Sequence, residues 1–113
     1  MSGDALSTMV EATVQALVSG MPARAVPAML ADRWPDAPPL ELVLVLISAA
    51  DGIEAMLTPR SPPCGEAQAL WRVAALLAVE VHALQVSRQK VARARDLVEH
   101  WQQSGEGFFL PAR

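Results

Sequence analysis

The chain has 113 residues, which is enough for one hydrophobic core but not for two. Apolar residues make up 52% of it and charged residues only 19%, so a single subunit has little charged surface with which to cover its apolar side chains. The net charge of −3 argues against general binding to nucleic acid. With Cys64 as its single cysteine, the chain cannot form an internal disulfide, and a cytoplasmic location fits best.

Neither a membrane span nor a signal peptide is predicted. The stretch from Leu42 to Ala50 carries no charge or proline, but Asp51 ends it far short of the ~20 residues that a spanning helix needs. A later apolar stretch is interrupted by Arg72 and Glu80, and the N-terminus has no basic region. We therefore expect no membrane contact, and burial between subunits becomes the expected way to cover the apolar surface.

Apolar residues recur at helical spacing in three short segments before residue 58. The first predicted helix covers residues 4–19 and stops at Gly20, and the second covers 25–34. The third covers residues 39–57 and is apolar around most of its circumference, which is typical of a central helix with neighbours on two or three sides. A strand over 42–47 is rejected, because the helical pattern continues beyond it and no partner strand is predicted.

The last segment has neither glycine nor proline from Glu66 to Gln103 and predicts one long helix over about residues 64–103. Unbroken, that helix would be about 57 Å long, whereas a compact domain of this size has a diameter of roughly 35 Å. We therefore expect an all-α helical bundle in which three shorter helices pack against the long one and a second copy covers the excess. A bend near Ser87 that gives a monomeric bundle is the alternative, although no proline or glycine marks it.

The two halves of the predicted long helix differ in how their apolar residues are arranged. From Leu70 to Val81 these residues point in every direction, so we expect that half to be buried all round. Beyond it, a stripe with spacings of three and four, as in a coiled coil, predicts the homodimer interface. We name this set the C-terminal stripe: Leu84, Val91, Ala94, Val98 and Trp101.

Four basic residues stand close together beside this stripe, and we name Arg88, Lys90, Arg93 and Arg95 the basic cluster. On a helical wheel they flank the stripe, which is how charges border a helical interface. Antiparallel copies would set them against acidic positions of the mate. A nucleic-acid site is the alternative, but no aromatic residue that could stack on bases lies within the cluster.

Glu80 lies on an apolar side of the predicted long helix, where an unpaired carboxylate would be costly. We expect a partner from another helix, with Arg24 or Arg33 as candidates and Arg72 as a weaker one. If this side of the helix instead opens into a pocket, a buried carboxylate there becomes a candidate functional site.

Residues 1–105 form the predicted helical domain, and residues 106–113 form an apolar tail. Phe108, Phe109 and Leu110 stand together in that tail, and three adjacent large apolar side chains rarely remain in water. We expect them to pack in a helical groove of the same subunit or of its mate. Docking onto a foreign protein is the alternative.

The sequence offers no set of residues that predicts catalysis or metal binding. His82 and His100 would lie roughly 27 Å apart along one helix, too far to share an ion, and Cys64 has no neighbouring histidine to activate it. Glycine-rich phosphate loops, paired carboxylates and Ser/His/Asp arrangements are not found either. We therefore expect neither an enzyme nor a bound cofactor.

These observations favour a non-enzymatic, cytoplasmic interaction protein that acts through a helical surface as a homodimer. Frequent alanine, arginine and proline are typical of a bacterial genome of high GC content. A small bacterial regulatory or adaptor subunit, with an unidentified protein as a further partner, is therefore the preferred interpretation. One alternative is a nucleic-acid-associated regulator that uses the basic cluster, and the other is a helical bundle that binds a small molecule.

Overall fold

In a computed structural model of the chain, residues 3–56, 62–87 and 91–104 are described. All regular secondary structure in these ranges is helical, which confirms the all-α class. The elements follow the chain as α1 (Gly3–Val18), a 3-10 turn (Ala23–Ala25), α2 (Val26–Arg33), α3 (Pro39–Met56), α4 (Pro62–Val86) and α5 (Ala94–Ser104).

Local sequence signals set the ends of the first two helices, as predicted. After α1, the Met21 N–H donates to the Ala16 carbonyl (2.9 Å) and the Gly20 N–H to the Leu17 carbonyl (3.1 Å), which is a Schellman motif. Gly20 has a φ of +104°, a left-handed conformation that glycine adopts without strain. Pro27 occupies the first turn of α2, where its missing N–H costs no hydrogen bond.

The prediction of one helix over residues 64–103 is wrong, because α4 and α5 are separate helices. The start of α5 is held on the connector between α2 and α3. The Ala94 N–H donates to the Ala37 carbonyl (2.7 Å), and the Arg95 N–H donates to the Pro35 carbonyl (2.9 Å). These bonds place α5 beside α2, so the chain folds back after α4 in the manner of the predicted alternative.

Asp96 supplies the cap that starts α5. One oxygen of its carboxylate accepts hydrogen bonds from the backbone N–H groups of Ala92 and Arg93, at 3.0 Å each. A carboxylate in the first turn that reaches back to the N–H ahead of the helix is one half of a capping box, and the helix dipole favours its negative charge. Asp96 therefore helps to fix where α5 begins.

α3 is the central helix of the bundle. It packs chiefly against α4 and α1, while α5 packs against α2 and the 3-10 turn packs against α4. Because α3 and α4 are joined by only five residues and pack together along their length, they form an antiparallel helical hairpin. The largest buried side chains of the core are Met9, Leu30, Leu42, Leu46, Leu70, Leu77, Leu97 and Trp101.

Folding back makes a single chain compact. Its radius of gyration is 13.6 Å, close to the ~13 Å expected for a domain of about 100 residues. The longest helix, α4, has 25 residues and is therefore about 37 Å long, which fits within the 42 Å length of the molecule. The argument that a helix outruns a compact monomer therefore no longer supports a dimer.

By length and composition alone, the segment Ala67–Val86 of α4 could cross a membrane, with a mean hydropathy of 1.4. Core helices of soluble proteins have the same length and hydropathy, and the residues Leu70, Leu77 and Val81 pack into the core here. Only 33% of this segment is buried, however. The apolar residues on its other side face away from the core.

Candidate interaction surface

The outward side of α4 carries a stripe of exposed apolar residues. Leu76, Val79, Ala83 and Val86 follow one another at spacings of three and four, so they share one face of the helix. Leu76 is 44% exposed, and Val79 and Val86 are each 67% exposed. The prediction that the first half of the long helix is buried all round is therefore wrong for its outer side.

α3 presents a second apolar stripe to solvent. Leu40, Leu44 and Ile47 recur at spacings of four and three and are 55%, 48% and 37% exposed. Toward the end of α3 the same side of the helix continues with Asp51 and Glu54. This face therefore changes from apolar to acidic along the helix.

A hydrogen bond between the two helices gives their relative position along the hairpin axis, which we call their level. Trp71 Nε1 donates to Glu54 Oε1 at 2.8 Å, so the two side chains meet in the antiparallel hairpin. Helical side chains lean toward the N-terminus of their own helix, so the backbone of Trp71 lies several ångströms nearer the start of α3 than that of Glu54. Both helices rise about 1.5 Å per residue, and Leu44 therefore comes near the level of residues 76–81 of α4. The two apolar stripes thus stand next to each other at the same end of the hairpin.

Both stripes also point to the same side of the hairpin. The buried face of α3 lies opposite Leu44, and the buried face of α4 lies opposite Val79. The exposed Glu54–Trp71 bond joins the solvent-facing edges of the two helices, so both stripes look into solvent on that one side of the hairpin. We name this combined face the outer surface, and its apolar residues are Leu40, Leu44, Ile47, Leu76, Val79, Ala83 and Val86.

Charged residues of both signs lie at one end of the outer surface. Asp51 and Glu54 on α3 lie at the same end of the hairpin as Arg72 on α4, which follows Trp71. Asp51 and Arg72 are exposed, and neither forms an ion pair within the described part of the chain. An opposite charge from outside the chain can therefore reach them.

The C-terminal stripe, which was predicted as the dimer interface, lies inside the single chain. Leu84, Val91, Ala94 and Trp101 are buried, and Val98 is partly buried against the same core. The fold-back of α5 onto α2 and α3 provides this burial without a second copy. A dimer would therefore need a different surface, and the outer surface is exposed and apolar.

Glu80 has a partner on another helix, but that partner is not a cation. Trp101 Nε1 on α5 donates a hydrogen bond to Glu80 Oε1 on α4. Within the described residues, none of the three arginines considered from the sequence forms an ion pair with Glu80. Arg33 instead lies over Trp34, with its guanidinium carbon 4.7 Å from the ring centroid. The Glu80–Trp101 bond thus links α4 to α5.

The basic cluster is divided by the fold. Arg88 and Lys90 lie outside the described residues. Arg93 and Arg95 both approach Asp36 in the connector between α2 and α3: Arg93 Nη1 is 3.7 Å from Asp36 Oδ1, and Arg95 Nη2 donates to the same oxygen. Two of the four basic residues therefore help to hold α5 on the connector, and the nucleic-acid alternative stays a prediction.

The predicted tail contact falls on Phe108, Phe109 and Leu110, which lie outside the described residues, so it stays a prediction. In the part of the chain that the structure describes, no group of three or more His, Cys, Asp or Glu side chains could hold a metal ion.

An open cavity of about 610 Å³ lies between the 3-10 turn and α2 on one side and α5 on the other. Met21, Met29 and Val98 line its apolar part, and Asp32 and Glu99 lie at its polar edge. Small-molecule sites commonly have volumes of about 300–1,000 Å³. The cavity therefore keeps the small-molecule alternative open.

A smaller cavity of about 390 Å³ lies between α1, the α2–α3 connector and the start of α3. Glu41 borders it, and one oxygen of its carboxylate is buried without a hydrogen-bond partner. Glu41 lies in the first turn of α3, where the helix dipole stabilises a negative charge. Its position is thus explained by the helix, and we assign no ligand to this cavity.

No protein family model matches the chain. Comparisons with curated proteins and with solved structures give no significant match either. Function therefore has to be inferred from the residues of this chain, and the outer surface is the candidate site.

Proposed function

We propose that this chain is a non-enzymatic interaction protein, a small bacterial regulatory or adaptor subunit of the cytoplasm that works as a homodimer. The outer surface is its contact surface. The observation that carries this proposal is the concentration of exposed apolar side chains there. Of the eight large apolar residues that are exposed in the described part of the chain, six lie on the outer surface, and only Val18 and Met56 lie elsewhere.

A contiguous apolar surface supports an interaction site more strongly than scattered residues do. Single exposed apolar residues are normal on any protein, whereas an adjoining set with charged residues at its edge marks a contact region. The spacings of three and four on both α3 and α4 also suit packing against another helix. These features favour a helical partner.

The composition supports a second copy of the chain as that partner. With charged residues at 19%, a monomer would leave the outer surface in water with few charges around it. A homodimer covers the outer surfaces of both copies in one contact, and closed two-fold pairs are the commonest oligomers of soluble proteins. The bacterial and cytoplasmic parts of the proposal rest on composition alone.

A matched pair of substitutions tests whether the outer surface is the contact surface. Val79→Asp places a charge in its middle, and Val18→Asp makes the same change at an exposed valine on α1. We expect wild type and Val18→Asp to sediment as dimers, and Val79→Asp to sediment as a folded monomer with a helical circular dichroism spectrum. A dimeric Val79→Asp protein would show that the outer surface is not the contact surface, and a monomeric wild type would refute the homodimer.

The cavity between α2 and α5 favours binding of a small apolar molecule as a second candidate function. Ala28 lies in its wall, so Ala28→Phe would fill part of the volume. A ligand that raises the melting temperature of wild type, but not that of a folded Ala28→Phe variant, would support this second function. The same shift in both proteins would place the ligand elsewhere.

A further inference from the structure

We infer that two copies join outer surface to outer surface about a two-fold axis that runs parallel to α3 and α4. In this arrangement α3 of each copy lies on α4 of the other, and the four helices enclose a second apolar core. The inference rests on the proposed function, because it specifies how the homodimer contact is made. It follows from the levels of apolar and charged residues on the two helices.

Two two-fold arrangements bring a flat helical hairpin face to face with its copy and keep the helices of both copies aligned. If the axis runs parallel to the helices, α3 lies on α4 of the second copy and every residue keeps its level. If the axis runs across the helices, α3 lies on α3 and α4 lies on α4, and the levels are reversed. The positions of the side chains distinguish these arrangements.

The apolar residues match in the parallel-axis arrangement. From the Glu54–Trp71 bond, Leu40 lies near the level of residues 80–85 of α4. Leu44 comes near the levels of Leu76 and Val79, so its side chain can pack between them as a knob enters a hole. Each copy would thus pack the leucines of α3 against the apolar stripe of α4.

The charged residues favour the same arrangement. With the levels kept, Asp51 and Glu54 of one copy come opposite Arg72 of the other at one end of the interface. Reversed levels would carry Arg72 to the opposite end of the hairpin, away from both carboxylates. Opposite charges at an interface steer association and suppress wrong arrangements, so this pairing selects the parallel axis.

The size of the outer surface suits a stable dimer. α3 has 18 residues and is therefore about 27 Å long, and two adjacent helices are roughly 20 Å wide. The flat footprint is then about 540 Å², and the accessible area of such a ridged surface is larger. Standard protein interfaces bury about 800 Å² per partner, which is of the same order.

Disulfide cross-linking between single-cysteine proteins tests the arrangement directly. Leu44→Cys and Val79→Cys are each made in a Cys64→Ala background, and both changed positions are exposed, so each protein should fold. The two proteins are unfolded together, refolded and equilibrated in a glutathione redox buffer, and each is also treated alone. We expect the mixture to give a covalent species of twice the 12.1 kDa chain mass, and each protein alone to give little.

Other outcomes separate this inference from the proposed function. If Leu44→Cys cross-links to itself as well as it does to Val79→Cys, the axis runs across the helices, and the inference is wrong although the homodimer stands. If no sample cross-links while wild type sediments as a dimer, the contact lies elsewhere on the molecule and the inference is again overturned. If wild type is monomeric, both this inference and the homodimer of the proposed function are refuted.

Discussion

α4 and α5 bury their apolar residues in different ways. α5 is amphipathic: Leu97 and Trp101 are buried on one side, while Glu99 and Gln103 are exposed on the other. α4 is apolar on nearly all sides, yet the core of its own chain covers only one of them. The fold of a single chain can thus bury a narrow apolar stripe on a helix. A helix that is apolar on nearly all sides keeps apolar residues that its own chain does not bury.

The largest expected effect concerns α5, whose apolar residues are buried in the core of its own chain. Trp101→Ala removes the largest buried side chain of α5 and the hydrogen-bond donor of Glu80. We expect it to lower the free energy of unfolding by about 3–5 kcal/mol, because it leaves a cavity in the core. Thermal unfolding followed by circular dichroism measures the change, and a melting temperature lower by more than about 12 °C is expected.

Trp71 provides the matched control for this substitution. Its indole N–H also donates to a glutamate on another helix, but the side chain is only half-buried. Trp71→Ala should therefore lower the free energy of unfolding by less, about 1–2 kcal/mol, because the Trp71 side chain buries less apolar area than that of Trp101. Equal losses at Trp71 and Trp101 would contradict the view that α5 is packed into the core of its own chain.

The sequence predicted the first part of the fold well because short-range signals decide it. Gly20, Pro27 and the Trp34–Pro35 step each act on the backbone next to them, so the ends of α1 and α2 follow from local chemistry. The break after α4 depends instead on hydrogen bonds to Pro35 and Ala37, which lie far away in the sequence. No pattern of periodicity contains that information.

A substitution in the capping contact tests how firmly the start of α5 is held. Asp96→Ala removes the acceptor for two backbone N–H groups, so we expect a loss of about 1 kcal/mol in the free energy of unfolding. Glu99→Ala changes an exposed carboxylate on the same helix and should stay within about 0.5 kcal/mol of wild type. Urea titrations of the three proteins would measure both values. Equal stability of the two variants would mean that the cap does not hold α5 in place.

The smallest expected effect concerns the exposed face of α4. Arg72→Glu should weaken dimerisation about threefold, because it sets a carboxylate against Asp51 and Glu54 of the second copy. The additional change Asp51→Lys should recover most of that loss. Sedimentation at low and high salt would measure both effects, and the difference should shrink as salt screens the charges. A loss that Asp51→Lys does not reduce at all would argue against this pairing.

Two features of α4 were within reach of the sequence but were interpreted differently. Trp101 was assigned to an apolar stripe, although its indole N–H needs an acceptor when it is buried, and Glu80 was the nearby acceptor without a partner. The apolar residues on every side of α4 were interpreted as complete burial, although a chain of 113 residues has few elements with which to surround a long helix. The neighbouring stripe on α3 could be placed beside α4 only once the Glu54–Trp71 bond gave the relative level of the two helices.

The mass of the wild-type protein in solution tests the central claim most directly. Light scattering behind a sizing column, at loadings from about 1 to 100 μM, should give twice the 12.1 kDa chain mass at the upper end, with a shift toward the monomer on dilution. A mass of 12.1 kDa at every loading would contradict the account, because the outer surface would then remain uncovered by a second copy.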